Sequence, residues 1–200
     1  MREVVYLFNA LKNLDRITVR DIKAISKEDK NLNYFKYGCG ATKNVFIGKE
    51  WVLKYSISDH DEAYQEYLIY QDAKNKGLEM FFPETVYAGE INGIKFVYQK
   101  KIDIDSKSLR DDDVKFYSFF DKITKAKIPQ KKVLHVYDGF YNTTCSDFLW
   151  INMCILLYGY KKVRALEKFT RKHKINDLHR GNLGYLNNKP IILDFCGFHR

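Results

Sequence analysis

The chain has 200 residues, 46% hydrophobic and 30% charged, which excludes a disordered or low-complexity protein and suits one domain or one domain divided into two lobes. No apolar run reaches the roughly 18 residues of a membrane span, and the first residues lack a signal-peptide cleavage site, so we expect a cytoplasmic protein without membrane contact. Lys and Arg number 34 against 25 Asp and Glu, and the net charge of +9 favours polyanionic partners without choosing among nucleic acid, nucleotides and acidic proteins.

The first third of the chain changes from helical to strand-forming periodicity. Apolar side chains recur at helical spacing over residues 4–14, and Thr18 is a suitable N-cap for a second helix. Short β-branched and aromatic runs separated by glycines then predict three antiparallel strands, at 34–38, 43–48 and 51–57.

A helix and a second hairpin follow. Helical periodicity covers 60–76 and ends at Gly77, a typical C-terminal glycine. The dipeptide Asn92-Gly93 is a strong signal for a two-residue turn, and it joins predicted strands at 85–91 and 94–102.

Beyond the second hairpin the pattern becomes mainly helical. Three helices are predicted, at 109–123, about 147–157 and 160–173. The aromatic segment 135–141 fits neither periodicity. A loop at 175–182 then precedes two short strands at 183–186 and 190–194.

The loop and hairpin near the end carry the residues best suited to bind a metal ion or to take part in a reaction. Asp177 and Asn182 lie five residues apart on one loop and can converge on one point, and Asp194 at the end of an apolar strand can join them. Two carboxylates and an amide supply oxygen ligands for a hard cation such as Mg²⁺, with one acid left to orient a nucleophile. Taken singly, the same residues are equally good turn formers and strand-end caps.

The combined pattern resembles a known superfamily. The order D-L-H-x-G-N, an apolar strand and D-F-x-G is similar to the catalytic loop and metal-binding segment of the protein-kinase-like superfamily, in the aminoglycoside-phosphotransferase style. The resemblance implies ATP and Mg²⁺ as cofactors, Asp177 as catalytic base, and Asn182 and Asp194 as metal ligands. The chain departs from the family at Ile175, which stands where the motif histidine is usual.

An upstream segment resembles the glycine-rich loop of the same superfamily. Gly38 and Gly40 stand between two predicted strands, where glycines let backbone amides approach phosphates. The third glycine is absent, and Lys43 is nearest to its position, where its charge can add to phosphate binding. A plain hairpin turn is the alternative interpretation.

Lys54, in Trp51-Val52-Leu53-Lys54, resembles the strand lysine that pairs with the phosphates. An ammonium on an apolar strand needs a carboxylate partner, and we expect Glu66 on the next helix, with Glu62 in reserve. By resemblance, the backbone of residues 99–102, from Gln99 to Ile102, forms the hinge that binds adenine.

The resemblance therefore implies an α+β, bilobal protein-kinase-like fold. Residues 1–33 form a helical N-terminal extension, 34–102 an N-lobe with a small antiparallel sheet, and 103–200 a truncated, mainly helical C-lobe. Only six residues follow Asp194, so an activation loop and the A-P-E segment are missing from this sequence, as expected of a compact kinase of the phage or bacterial effector type.

The predicted reaction is transfer of the ATP γ-phosphoryl group to a hydroxyl, with a protein Ser/Thr as the favoured acceptor, in the host cytoplasm if the gene belongs to a phage or effector. Three alternatives stay open: a kinase of small molecules, a nucleotide-binding pseudokinase that acts through a protein partner, and a basic nucleic-acid-associated protein, which is not favoured. A kinase transfers phosphate, and a pseudokinase binds ATP without transfer. A nucleic-acid-associated protein shows salt-sensitive nucleic-acid binding.

Overall fold

The computed structural model describes residues 1–14, 35–39, 42–57, 60–102, 129–141, 148–186 and 189–196. They belong to two compact units, the first made of Met1–Gln71 and Pro83–Lys101, the second of Asp72–Phe82 and Ile102–Arg200. In the ranges described, no helix is both long and apolar enough to cross a membrane. The predicted N-cap at Thr18, the predicted helix at 109–123 and Gly40 lie outside the described residues.

The first unit is built on an antiparallel sheet that contains, among the described residues, the five predicted strands. The helices are α1 (Arg2–Leu11) and α2 (Glu62–Asn75), of which the last turn, from Asp72, belongs to the second unit. The strands are β1 (Lys36–Cys39), β2 (Lys43–Ile47), β3 (Trp51–Ser56), β4 (Thr85–Ile91) and β5 (Ile94–Lys100). The strand order is β1-β2-β3-β5-β4, which places β3 in the middle. The prediction of a small antiparallel sheet is confirmed, while the bilobal arrangement stays a prediction.

One face of this sheet forms an apolar core with α1. Buried side chains of α1, chiefly Leu7, Phe8 and Leu11, pack with those of the strands. The ring of Phe8 lies edge-on to Phe96 and Tyr98, with centroids 5.5 and 6.1 Å away. Because β-strand side chains alternate, the intervening residues of β3 and β5 face the other way, and Lys54, Ser56 and Gln99 lie on this second face beside Val52 and Val97.

The turn between β4 and β5 has the predicted form. Asn92 and Gly93 have φ angles of 51° and 80°, so both adopt the left-handed conformation that a type I′ turn requires. A glycine and an asparagine adopt this conformation more readily than other residues do.

The second unit is mainly helical among the described residues. Its helices are α3 (Gln130–Tyr141), α4 (Phe148–Tyr158) and α5 (Tyr160–Lys172), and its strands are β6 (Leu183–Leu186) and β7 (Lys189–Ile192). Segment 135–141, left unassigned from the sequence, is helical and belongs to α3. Val136 and Phe140 are buried on this helix, and the aromatic residues of the segment and Gly139 within it do not favour a helix over other structures.

Candidate active site

Lys54 and Glu66 form a buried ion pair in the first unit. Lys54 lies on central strand β3, opposite Val45 of β2 and Val97 of β5. Its Nζ donates to Glu66 Oε2 over 3.0 Å, and the Glu66 side chain is fully buried. The structure thus brings together the lysine and the first of its two candidate partners, while Glu62 lies buried one helical turn earlier on α2.

The start of α2 is tied to the end of β3. The backbone N–H of Ala63 donates to Ser56 Oγ over 2.8 Å, which satisfies one of the N–H groups that a helix leaves open at its first turn. Lys54 and Ser56 lie on the same face of β3, so this contact holds α2 beside Lys54.

Two more side chains converge on Glu66. Lys43, at the start of β2, donates to Oε1 over 2.7 Å, and Gln99 of β5 donates to Oε2 over 3.1 Å. The Gln99 amide also lies 3.2 Å from Thr85 Oγ1, which in turn donates to the carbonyl of Pro83. Lysine, carboxylate and amide groups therefore form one buried network on this second face of the sheet.

The predicted hinge residues are distributed over both units. The Gln99 side chain is engaged with Glu66, and the N–H of Lys101 donates to the carbonyl of Glu50 over 2.8 Å. Ile102 belongs to the second unit and lies beside Gly184 of β6, where a Cβ on that glycine would come within 3.4 Å of the Ile102 side chain. Binding of adenine by this stretch stays a prediction.

Gly38 of the predicted glycine-rich loop lies in β1, opposite Val45. Among the residues that the structure describes, a Cβ added there would meet no atom closer than 3.9 Å apart from its chain neighbours, so this packing does not by itself require a glycine. Gly40 lies outside the described residues, and the role of this segment as a phosphate cover stays a prediction.

Asp177 and Asn182 come together on one loop of the second unit. The Asn182 side chain donates from Nδ2 to the backbone carbonyl of Asp177 over 2.8 Å and lies 3.2 Å from its carboxylate Oδ2. Because the amide nitrogen faces Asp177, the amide oxygen is the atom that can face a cation. Buried Ile175 and Leu178 anchor the loop on either side of Asp177.

Asp194 follows β7 and is tied to the same loop through the backbone. The N–H of Leu193 donates to the carbonyl of Asn182 over 2.8 Å, and Leu183 pairs with Ile192 in the β6–β7 ladder. Asp194 thus directly follows Leu193, the residue whose N–H is hydrogen-bonded to the loop. Within the described part of the chain, no group of three or more His, Cys, Asp and Glu side chains is placed to hold a metal ion.

Sequence reasoning missed the role of His179 in this loop. Its Nδ1 accepts the N–H of Gly181 over 2.9 Å and caps a short 3₁₀ turn at Arg180–Asn182. Its Nε2 lies 3.7 Å from Asp177 Oδ1. A histidine two residues before a glycine carries no specific cap signal, since Ser, Thr, Asp and Asn are the usual capping residues.

No protein-family model matches the chain, and no curated protein matches it. Among solved structures, the chain is similar to the streptomycin–ATP–APH(2″)-IIa ternary complex at 15% sequence identity and a TM-score of 0.38, covering 91% of this chain and 71% of that chain.

Proposed function

We propose that this chain is an ATP-dependent phosphotransferase that moves the γ-phosphoryl group of ATP to a hydroxyl. The observation that carries the proposal is the Lys54–Glu66 ion pair, buried between a central strand and the next helix. The Asp177–Asn182 contact on a loop followed by Asp194 supports it. These are the residues that the resemblance to the protein-kinase-like superfamily singles out.

Stability alone does not readily account for a buried ion pair. Desolvating two charges removes most of what their attraction supplies, and apolar residues of similar size frequently stabilise a protein as well or better. Lys54 and Glu66 are nonetheless surrounded by further hydrogen-bonding groups and not by a purely apolar core. A site that holds a lysine in place for an anionic ligand accounts for this arrangement.

In the proposed reaction, Asp177 acts on the acceptor hydroxyl. The acceptor oxygen attacks the γ-phosphorus, the bond from that phosphorus to the β–γ bridging oxygen breaks, and ADP leaves with those electrons. Asp177 orients the hydroxyl and takes its proton. Lys54, held by Glu66, binds phosphate oxygens and offsets their negative charge.

The residues present fit Mg²⁺, the cation that the resemblance implies. Asn182 offers an amide oxygen and Asp194 a carboxylate, and hard cations of this kind prefer oxygen ligands. The ion would offset phosphate charge during transfer. The acceptor class is part of the same proposal: a protein Ser/Thr hydroxyl first, and the hydroxyl of a small molecule second.

The proposal is tested by phosphate transfer from γ-labelled ATP to the chain itself and to protein and small-molecule acceptors. Asp177→Asn keeps the side chain's size and should lower the rate about 100-fold or more, since it removes the proton acceptor. The variant should still gain thermal stability from ATP and Mg²⁺. Asp138→Asn, at an exposed aspartate of α3, is the matched control and should transfer phosphate at the wild-type rate. Equal rates for the two variants would contradict the assignment of Asp177.

A second candidate function is a nucleotide-binding module that acts on a partner without transfer. The observation in its favour is Ile175, a buried apolar residue where the resemblance expects a histidine. This candidate predicts that ATP raises the melting temperature while no acceptor is labelled. The phosphotransferase predicts that ATP raises the melting temperature and that an acceptor is labelled.

A further inference from the structure

Glu66 is shared between two lysines. One of its oxygens, Oε1, accepts from Lys43 over 2.7 Å, and the other, Oε2, accepts from Lys54 over 3.0 Å. All three side chains are buried, and all three belong to the first unit. One carboxylate therefore holds two ammonium groups at its two oxygens.

The sheet places both lysines on one face. Lys43 pairs with Ser56 across the β2–β3 ladder, and Ser56 lies two residues from Lys54 on the same strand. Because side chains on the same face recur every second residue, Lys43 and Lys54 point to the same side of the sheet. Gln99 donates to Oε2 from the neighbouring strand β5, which limits rotation of the carboxylate between its two partners.

Two like charges held this close repel one another, and Glu66 offsets the repulsion in the free protein. A phosphate chain carries several anionic oxygens and can take over that task from the carboxylate. Lys43 also stands nearest to the position of the third glycine in the segment that resembles the glycine-rich loop.

We propose that Lys43 is a second phosphate-binding lysine that shares the triphosphate with Lys54; this rests on the ATP site proposed above. Glu66 is the positioning residue that sets the two ammonium groups at one place. With either lysine alone, the protein retains part of its affinity for the triphosphate, so the two lysines are partly interchangeable.

Binding measured by calorimetry with ATP·Mg²⁺, with inorganic tripolyphosphate and with adenosine tests the shared site. Lys43→Met and Lys54→Met should each raise the Kd for ATP and tripolyphosphate roughly 10-fold, as expected for the loss of one charge-assisted contact. The fold-increase in Kd of the double variant should exceed the product of the two single fold-increases, since each lysine partly compensates for loss of the other. Adenosine binding should not change, and Lys36→Met, at an exposed lysine of β1, should match wild type.

The outcomes separate this inference from the proposed function. If wild type and Lys43→Met bind ATP equally while Lys54→Met binds weakly, Lys43 is not a phosphate contact and the ATP site stands. If wild type binds neither ATP nor tripolyphosphate, both the inference and the ATP site fall.

Labelling of the wild-type chain gives an answer even if a variant fails to fold. An acyl-phosphate derivative of ATP transfers its acyl group to a lysine amine beside the phosphates and releases ATP. Peptide mapping should find both Lys43 and Lys54 acylated, with protection by excess ATP. Acylation of Lys54 without Lys43 would overturn the inference.

Discussion

Lys54 shows how far a single residue can be interpreted before its surroundings are known. An ammonium on an apolar strand has few stable environments, so the need for a carboxylate follows from the sequence. The choice of Glu66 over Glu62 depended on the apolar pattern after it, and Glu66 is the residue in contact. Lys43 and Gln99 were predicted as nucleotide-binding residues, but their hydrogen bonds to Glu66 were not predicted, because these bonds depend on the register of three strands, which no local pattern reveals.

Gly139 of α3 has a packing role that its surroundings define. A Cβ at this position would come within 2.5 Å of the Glu167 side chain of α5. Glu167 is fully buried, and it is held by Arg164 and by Arg171, whose Nε lies 2.5 Å from Oε1. The carboxylate therefore has little freedom to move aside.

We predict that Gly139→Ala destabilises the protein. Alanine improves helix propensity by roughly 1 kcal/mol, whereas overpacking costs about 1–3 kcal/mol, so the net free energy of unfolding should fall. Urea denaturation measures this as a lower midpoint at unchanged slope.

His135→Ala, at an exposed position of the same helix, is the control. It should shift the free energy of unfolding by no more than about 0.5 kcal/mol. A Gly139→Ala protein at least as stable as wild type would show that α3 and Glu167 can separate without penalty.

Helix α2 is fixed at its two ends by different chemistry. Its start is held by Ser56, as described above, and its last turn carries Asp72, which faces α5 within the second unit. Lys76, Lys172 and His173 all approach Asp72 Oδ2, at 2.8, 3.1 and 2.7 Å. Hydrogen bonding from Lys76 is the largest cause that holds the pKa of Asp72 well below its usual range.

This lowered pKa predicts a pH-dependent stability. An aspartate whose pKa is lower in the folded than in the unfolded chain stabilises the fold above its unfolded pKa, near 3.9, and loses that contribution as the pH falls. Asp72→Asn should therefore melt below wild type at pH 7, and the gap in Tm should close as the pH drops below about 4. A gap that stays constant down to the acid limit would show that charge at Asp72 contributes nothing. Glu84→Gln, at an exposed acidic residue, serves as the control.

The secondary-structure elements differ in how well their sequences define them. Asn92-Gly93 predicted its hairpin correctly, since few residue pairs accept two positive φ angles. Helix α3 was missed, because Gly139 lies within it and its aromatic residues favour strands equally well. The helical pattern of residues 4–14 was clear, yet only the structure shows that α1 supplies one side of the sheet's core.

In the molecule as a whole, the candidate residues fall into two sets. Lys43, Lys54, Glu66 and Gln99 belong to the first unit, and Asp177, Asn182 and Asp194 belong to the second. Short motifs predicted the members of each set, since each depends on local spacing along a loop, strand or helix. That both sets serve one nucleotide is the central proposal, and it rests on the resemblance and not on any local pattern.

The most direct test of this central claim is a crystal structure of the chain with Mg²⁺ and a non-hydrolysable ATP analogue. We expect the phosphates to contact Lys54, and the metal to be bound by Asn182 and Asp194, with Asp177 close to the γ-phosphate. An analogue bound by one set of residues alone, or bound elsewhere on the protein, would contradict the proposed phosphotransferase.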